Sequence, residues 1–83
     1  MSPNFTASIR IEKAGRGGKT VTVIDRLPPS QAYLDKLART LKNRCGSGGT
    51  FSIGSTGGVI EIQGDKRDLI RKILTESGVP FKG

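Results

Sequence analysis

Two segments near the start of the chain alternate apolar and polar residues with a period of two, and a glycine-rich break joins them. Phe5, Ala7, Ile9 and Ile11 interleave with Thr6, Ser8, Arg10 and Glu12. Lys19-Thr20-Val21-Thr22-Val23-Ile24 repeats the pattern with β-branched residues. Successive side chains on a strand point to opposite faces, so each segment reads as a strand with one face buried. Between them, Ala14-Gly15-Arg16-Gly17-Gly18 lets the backbone take positive φ and reverse tightly. The result is a hairpin with a charged, glycine-rich tip. It commits the chain to a sheet, and the rest of the sequence must cover that sheet's apolar face.

Leu27-Pro28-Pro29 ends the second strand, and Ser30 is placed to cap a helix. Leu34, Leu37, Ala38 and Leu41 then recur at the spacing of one helix face. Lys36, Arg39 and Asn43 fall on the opposite side, with Lys42 and Arg44 on the flanks, and Gly46 follows as a C-terminal stop. Thr50–Ile53 and Val59–Gln63 read as two short strands around the loop Gly54–Gly58. Asp65 is expected to cap a second helix whose buried face is Leu69, Ile70, Ile73 and Leu74, with Asp68 near its positive end and Gly78 and Pro80 ending it. Val79–Gly83 either adds a short edge strand or frays. The order ββαββα predicts an α+β two-layer sandwich: a mixed sheet of four strands, or five with that last segment, and both helices on one face. Residues 1–83 are expected to form a single domain, with 1–5 and 80–83 as frayed ends.

The core must be thin. Leu, Ile, Val and Phe make up about a quarter of the 83 residues, which is above the ~20% at which charged chains stay disordered. One Cys and no His exclude an internal disulfide framework, the usual zinc spacings and any nucleophile–histidine pair. No apolar run approaches the ~20 residues of a membrane span, and Met1-Ser2-Pro3-Asn4 carries no secretory leader pattern. The expectation is a soluble, cytoplasmic monomer that needs no cofactor and is not an enzyme.

Charge is distributed unevenly. The formal net charge is +7, and nine of the 14 basic residues but only three of the 7 acidic ones precede Cys45. Such a basic half is the footprint of a polyanion binder. Gly17-Gly18-Lys19-Thr20 ends like a phosphate-binding P-loop, but Lys13 stands where the pattern needs its first glycine, and a strand rather than a helix follows. Gly15-Arg16-Gly17-Gly18 fits the GXXG of RNA-binding KH domains, yet it joins two strands rather than two helices. An ordinary glycine turn would explain the glycines but not Arg10, Lys13, Arg16 and Lys19 gathered on one hairpin. Glycine backbone admits phosphates closely while Arg16 and Lys19 supply charge. Lys36, Arg39 and Lys42 have only Asp35 nearby to neutralise them. Phe5 and Phe51 belong to core faces, so no row of exposed rings is expected, and contacts should go to phosphate and RNA shape. Cys45 reads as a small buried hydrophobe.

These residues also resemble a known family. The hairpin Gly15-Arg16-Gly17-Gly18-Lys19-Thr20-Val21-Thr22 precedes a basic helix that ends Leu41-Lys42-Asn43-Arg44-Cys45-Gly46-Ser47-Gly48-Gly49-Thr50. Ile60-Glu61-Ile62-Gln63-Gly64-Asp65-Lys66-Arg67 and a closing helix follow. Over roughly residues 6–80 this is similar to eukaryotic translation initiation factor 1, and it looks most like that family's short prokaryotic members. The resemblance implies a factor that binds small-subunit ribosomal RNA near the P site and destabilises incorrect codon–anticodon pairing. Initiator tRNA and mRNA in the decoding region would be its neighbours. The alternatives are a general binder of structured RNA that regulates translation, or a protein-interaction module docking through the open face of the sheet. Carried over by position, the RNA-contacting residues would be Arg16, Gly17, Gly18 and Lys19 in the loop and Lys36, Arg39 and Lys42 on the helix. The chain starts almost at its first strand, so contacts made by the longer N-terminal tail of the eukaryotic factors are not implied.

Overall fold

A computed structural model describes residues 5–14, 18–55 and 57–83. Along the chain run β1 (Ala7–Ala14), β2 (Lys19–Leu27), α1 (Gln31–Cys45), β3 (Gly49–Gly54), β4 (Gly57–Gln63), α2 (Arg67–Glu76) and β5 (Phe81–Lys82). They form an α+β fold around one open five-stranded sheet in the order β3-β4-β2-β1-β5. The β1–β2, β2–β4 and β3–β4 pairs are antiparallel, and β5 runs parallel to β1, which makes the sheet mixed. Of the two expectations for the C-terminal segment, the edge strand is the one realised.

Register sets Ile9, Ile24, Ile60 and Ile62 on one face, where a slip of one residue would turn them outward, while in β2 the alternating Val21 and Val23 fall on the other face. Ile9 pairs with Ile24, and Ile24 with Ile60 on its other side. These residues share a core with Ile62, with Leu34, Leu37, Ala38 and Leu41 of α1, and with Ile70, Ile73 and Leu74 of α2. Leu69, assigned to the same helix face, is only half-buried against it. Phe5 lies ahead of β1 rather than in it, packing its ring edge-on to Tyr33 at 6.2 Å. Ser30 caps α1, its hydroxyl accepting the Tyr33 N–H at 3.4 Å, and Gly46 closes the helix at φ 62°.

On the opposite face of the sheet Val23 is 1% exposed although it faces away from the helices. Its cross-strand partners are Arg10 and Glu61. The Arg10 guanidinium reaches Glu12 on one side at 2.7 Å and Asp25 on the other, so one ion-paired side chain spans the rungs around Val23.

At the other margin, β3 is an edge strand. The Gln63 N–H donates to the Gly48 carbonyl at 2.9 Å. Carried along an antiparallel ladder, this phase turns the N–H and C=O groups of Gly49, Phe51 and Ile53 outward. Ile53 is 51% exposed on that edge. No helix among the described residues is long and apolar enough to cross a membrane.

Candidate nucleic-acid interface

Lys19 starts β2 directly across from Ala14, at the tip end of the hairpin. Of the loop residues singled out by sequence, Gly18 and Lys19 are exposed, whereas Arg16 and Gly17 lie outside the described residues. Beside Lys19 a depression of about 420 Å³ is lined by Thr20, Val21, Gln63 and Gly64. The sheet order explains this neighbour: β4 flanks β2, and Val21 pairs with Gln63. The Gln63-Gly64-Asp65 segment thus lies against the tip end of the basic hairpin.

That segment is pinned from below. Gly64 takes φ 90°, a conformation that a side chain would strain, and its N–H donates to the Thr20 carbonyl at 2.7 Å. Thr22, fully buried, donates its hydroxyl to the Gly64 carbonyl at 2.7 Å and accepts the Lys66 N–H at 2.9 Å. Lys66 holds the N-cap position and offers no side-chain hydrogen bond, but the Asp65 carboxylate one residue earlier accepts the Arg67 N–H at 3.4 Å and pairs with its guanidinium at 3.0 Å, so Asp65 does cap the start of α2. That pair holds the Asp65 carboxyl below its usual range. A hydroxyl 44 residues away, with no local signature, organises the helix entrance.

The second group lies on α1. Lys36 and Arg39 are exposed, and Lys42 is half-buried. Arg39 has Asp35 at 3.2 Å, one turn earlier on an exposed face, so water weakens the pair. Lys42 lies against Gly49, where a Cβ would come within 3.3 Å of its Cγ and within 2.6 Å of the Glu61 carbonyl oxygen. Only glycine lets the Lys42 stem lie this close to the sheet. Gly49 pairs with Ile62, so Lys42 and Lys19 reach the same end of the sheet, while Lys36 sits nearly two turns away toward Tyr33 and Val79.

Lys66 also belongs to this end and was not singled out by sequence reasoning. A Cβ on Gly64 would lie 3.5 Å from its Cε, and its charge is felt at Cys45. The available signal was the Lys66-Arg67 pair after the glycine turn, masked by its reading as a helix start. Among the described residues, Lys19, Lys36, Lys42 and Lys66 form no ion pair, whereas Arg10, Arg39, Arg44, Arg67 and Arg71 all do. Arg10, counted by sequence among the cations gathered on the hairpin, is already neutralised by Glu12 and Asp25. Cys45 is buried, and burial raises its thiol pKa against the opposing pull of Lys66 and Arg44. The arrangement offers lysine charge and glycine backbone to a polyanion.

Comparison with known proteins bears on this surface. The family model for translation initiation factor SUI1 matches residues 5–80. An uncharacterized protein of Haemophilus influenzae is 44% identical over 82 residues, covering 96% of this chain and 74% of its own. The uncharacterized protein YciH of Escherichia coli is 43% identical over 82 residues, covering 96% and 72%. A protein translation factor SUI1 homolog of Aeropyrum pernix is 46% identical over 72 residues, covering 87% of this chain and 66% of that one.

Proposed function

We propose that this chain, which belongs to the SUI1 family of translation initiation factors, binds the small ribosomal subunit near the P site and promotes accurate start-codon selection. The observation that carries the reading is that Lys19 and Lys66 adjoin the glycine turn at Gln63-Gly64 at the hairpin-tip end of the sheet, with Lys42 beside Gly49 at the same end, and that none of the three forms an ion pair among the described residues. Docking is electrostatic: these lysines and the exposed Lys36 and Arg39 face phosphates of ribosomal RNA, and the tip residues Arg16, Gly17 and Gly18 enter the decoding region. The factor acts by occupancy rather than by bond-breaking chemistry. Penalising a wrong codon–anticodon pair by ~1.4 kcal/mol changes selection tenfold.

The test is co-sedimentation with isolated small and large ribosomal subunits across a salt series. Saturable binding to the small subunit alone is expected, with affinity falling steeply as salt rises. The double variant Arg16→Glu, Lys19→Glu should weaken that binding at unchanged thermal stability. It should also lower the salt slope by about one unit for each phosphate that is no longer neutralised. Equal binding to both subunits, or an unchanged affinity in the double variant, overturns the assignment.

A further inference from the structure

Arg26 is the one non-glycine residue with positive φ among those described, at 61°. An L-residue pays roughly 1–2 kcal/mol for this conformation, which Gly, Asn or Asp adopt more readily. The cause is a one-residue bulge. Ile24 pairs with Ile60 but Leu27 pairs with Gly58, so β2 carries one residue more than β4 between those rungs. A bulge releases a residue from the ladder and re-aims its side chain.

Arg26 borders a depression of about 450 Å³ whose described lining is completed by Phe5, Thr6 and Lys82. Two cations, a hydroxyl and a half-buried ring share this hollow with no carboxylate among the described lining residues. Lys82 arrives there because β5 pairs with β1 at Ser8. Of the six arginines described, five are held in ion pairs, and the strained one is the exception. Two neighbouring positive charges without a counter-ion favour an anion between them. A guanidinium and an ammonium suit a phosphate, and an aromatic side chain beside it suits a base.

We propose that this hollow binds one nucleotide of single-stranded RNA, the phosphate between Arg26 and Lys82 and the base against Phe5. The site is separate from the hairpin tip: Arg26 and Lys19 lie seven residues apart along β2, roughly 23 Å at strand rise. It stands whether or not the tip meets ribosomal RNA.

The experiment is a site-resolved titration of the full chain by ¹H–¹⁵N NMR, with heptauridylate and, separately, inorganic phosphate as probes. Saturable shifts of the Thr6 and Lys82 amides by heptauridylate are expected. Arg26→Gly and Lys82→Gln should each weaken them three- to tenfold. Arg26→Gly should melt no lower than the wild type, because glycine takes the bulge conformation freely, so weaker binding there is not a loss of fold. Phe5→Leu should weaken heptauridylate and leave inorganic phosphate unchanged. An Arg26→Gly affinity within twofold of the wild type overturns the proposal. Shifts confined to tip residues also overturn it, as does equal binding of inorganic phosphate at equal phosphate concentration. Arg16→Glu, Lys19→Glu should leave the Thr6 and Lys82 titration intact, which separates this site from the tip.

Discussion

Exchanging Thr22 for Val replaces one hydroxyl by a methyl of similar size, yet it should rank among the more damaging conservative changes in the molecule. Thr22 is fully buried on the core face, between Ile11 and Ile62 on the adjoining strands. Its hydroxyl donates to Gly64 and accepts from Lys66, at 2.7 and 2.9 Å. Valine keeps the packing and abolishes both bonds, leaving a carbonyl and an amide N–H without partners. Each bond is worth ~1 kcal/mol net, and each orphaned group costs ~1–3 kcal/mol where water is excluded. The turn is only part-buried, so water reaches one side and the loss should total about 2 kcal/mol. For a domain of this size that lowers the melting temperature by roughly 8–16 °C. Thermal unfolding followed by circular dichroism reads it directly. Thr22→Ser retains the hydroxyl and loses the methyl, so it should keep small-subunit affinity, whereas Thr22→Val should lower affinity by freeing Gly64 and Lys66 from the hairpin. Thr22→Val as stable as the wild type would refute the idea that this hydroxyl holds the α2 entrance.

Other consequences of the packing are equally direct. Gly58→Ala puts a Cβ 2.6 Å from both Leu34 methyl carbons and 2.8 Å from the Pro28 carbonyl oxygen, so the urea midpoint should fall by the equivalent of ~1–3 kcal/mol. Glu76 ties the end of α2 to Arg44 of α1, and that hydrogen bond lowers its pKa below the ordinary value. A lowered folded-state pKa adds stability above the unfolded value, ~4.3, and loses it as pH falls through the folded one. Glu76→Gln should therefore flatten the acid limb of the stability–pH curve below about pH 5 and leave the neutral limb parallel to the wild type. Cys45 is buried with a raised thiol pKa, so a disulfide reagent at about pH 8 should react far more slowly with the native protein than in denaturant.

The residues that were legible in the sequence are those whose signals are local. Period-two alternation assigned Ile9 to the buried face of β1, and helical spacing assigned Leu34, Leu37, Ala38 and Leu41, because burial leaves its period in the chain. Ser30 and Gly46 were readable as caps for the same reason. In β2 the alternation grouped Val21 with Val23, whereas the helix-covered face takes Thr22 and Ile24. The surprises come from contacts between distant segments. Asp65 accepts the Arg67 N–H as a cap does, but the Lys66 N–H just before it is taken by Thr22, which arrives from β2. Arg10 counts among the hairpin's cations in the sequence, and only strand pairing brings Asp25 beside it. The Arg26 bulge arises from a mismatch between β2 and β4, which neither strand announces alone. The family signature at Gln63-Gly64-Asp65 became physically intelligible only once β4 was seen to flank the hairpin. Its glycine turn meets the Lys66 side chain and lines the depression beside Lys19.

The edge of β3 carries a further consequence, for the behaviour of many copies together. From Cys45 to Ile60 the chain has no charged residue, so this strand lacks the lysines and prolines that usually blunt an open edge. Its outward N–H and C=O groups, flanked by the exposed Ile53, would accept the same strand from another molecule. The net charge of +7 opposes such pairing, acting over about one Debye length, ~8 Å at physiological salt. At about 1 M salt that length shrinks to ~3 Å, and concentrated protein should begin to associate through β3. Ile53→Lys would restore repulsion at the edge itself. The basic surplus proposed to recognise RNA thus also serves as the protein's colloidal protection.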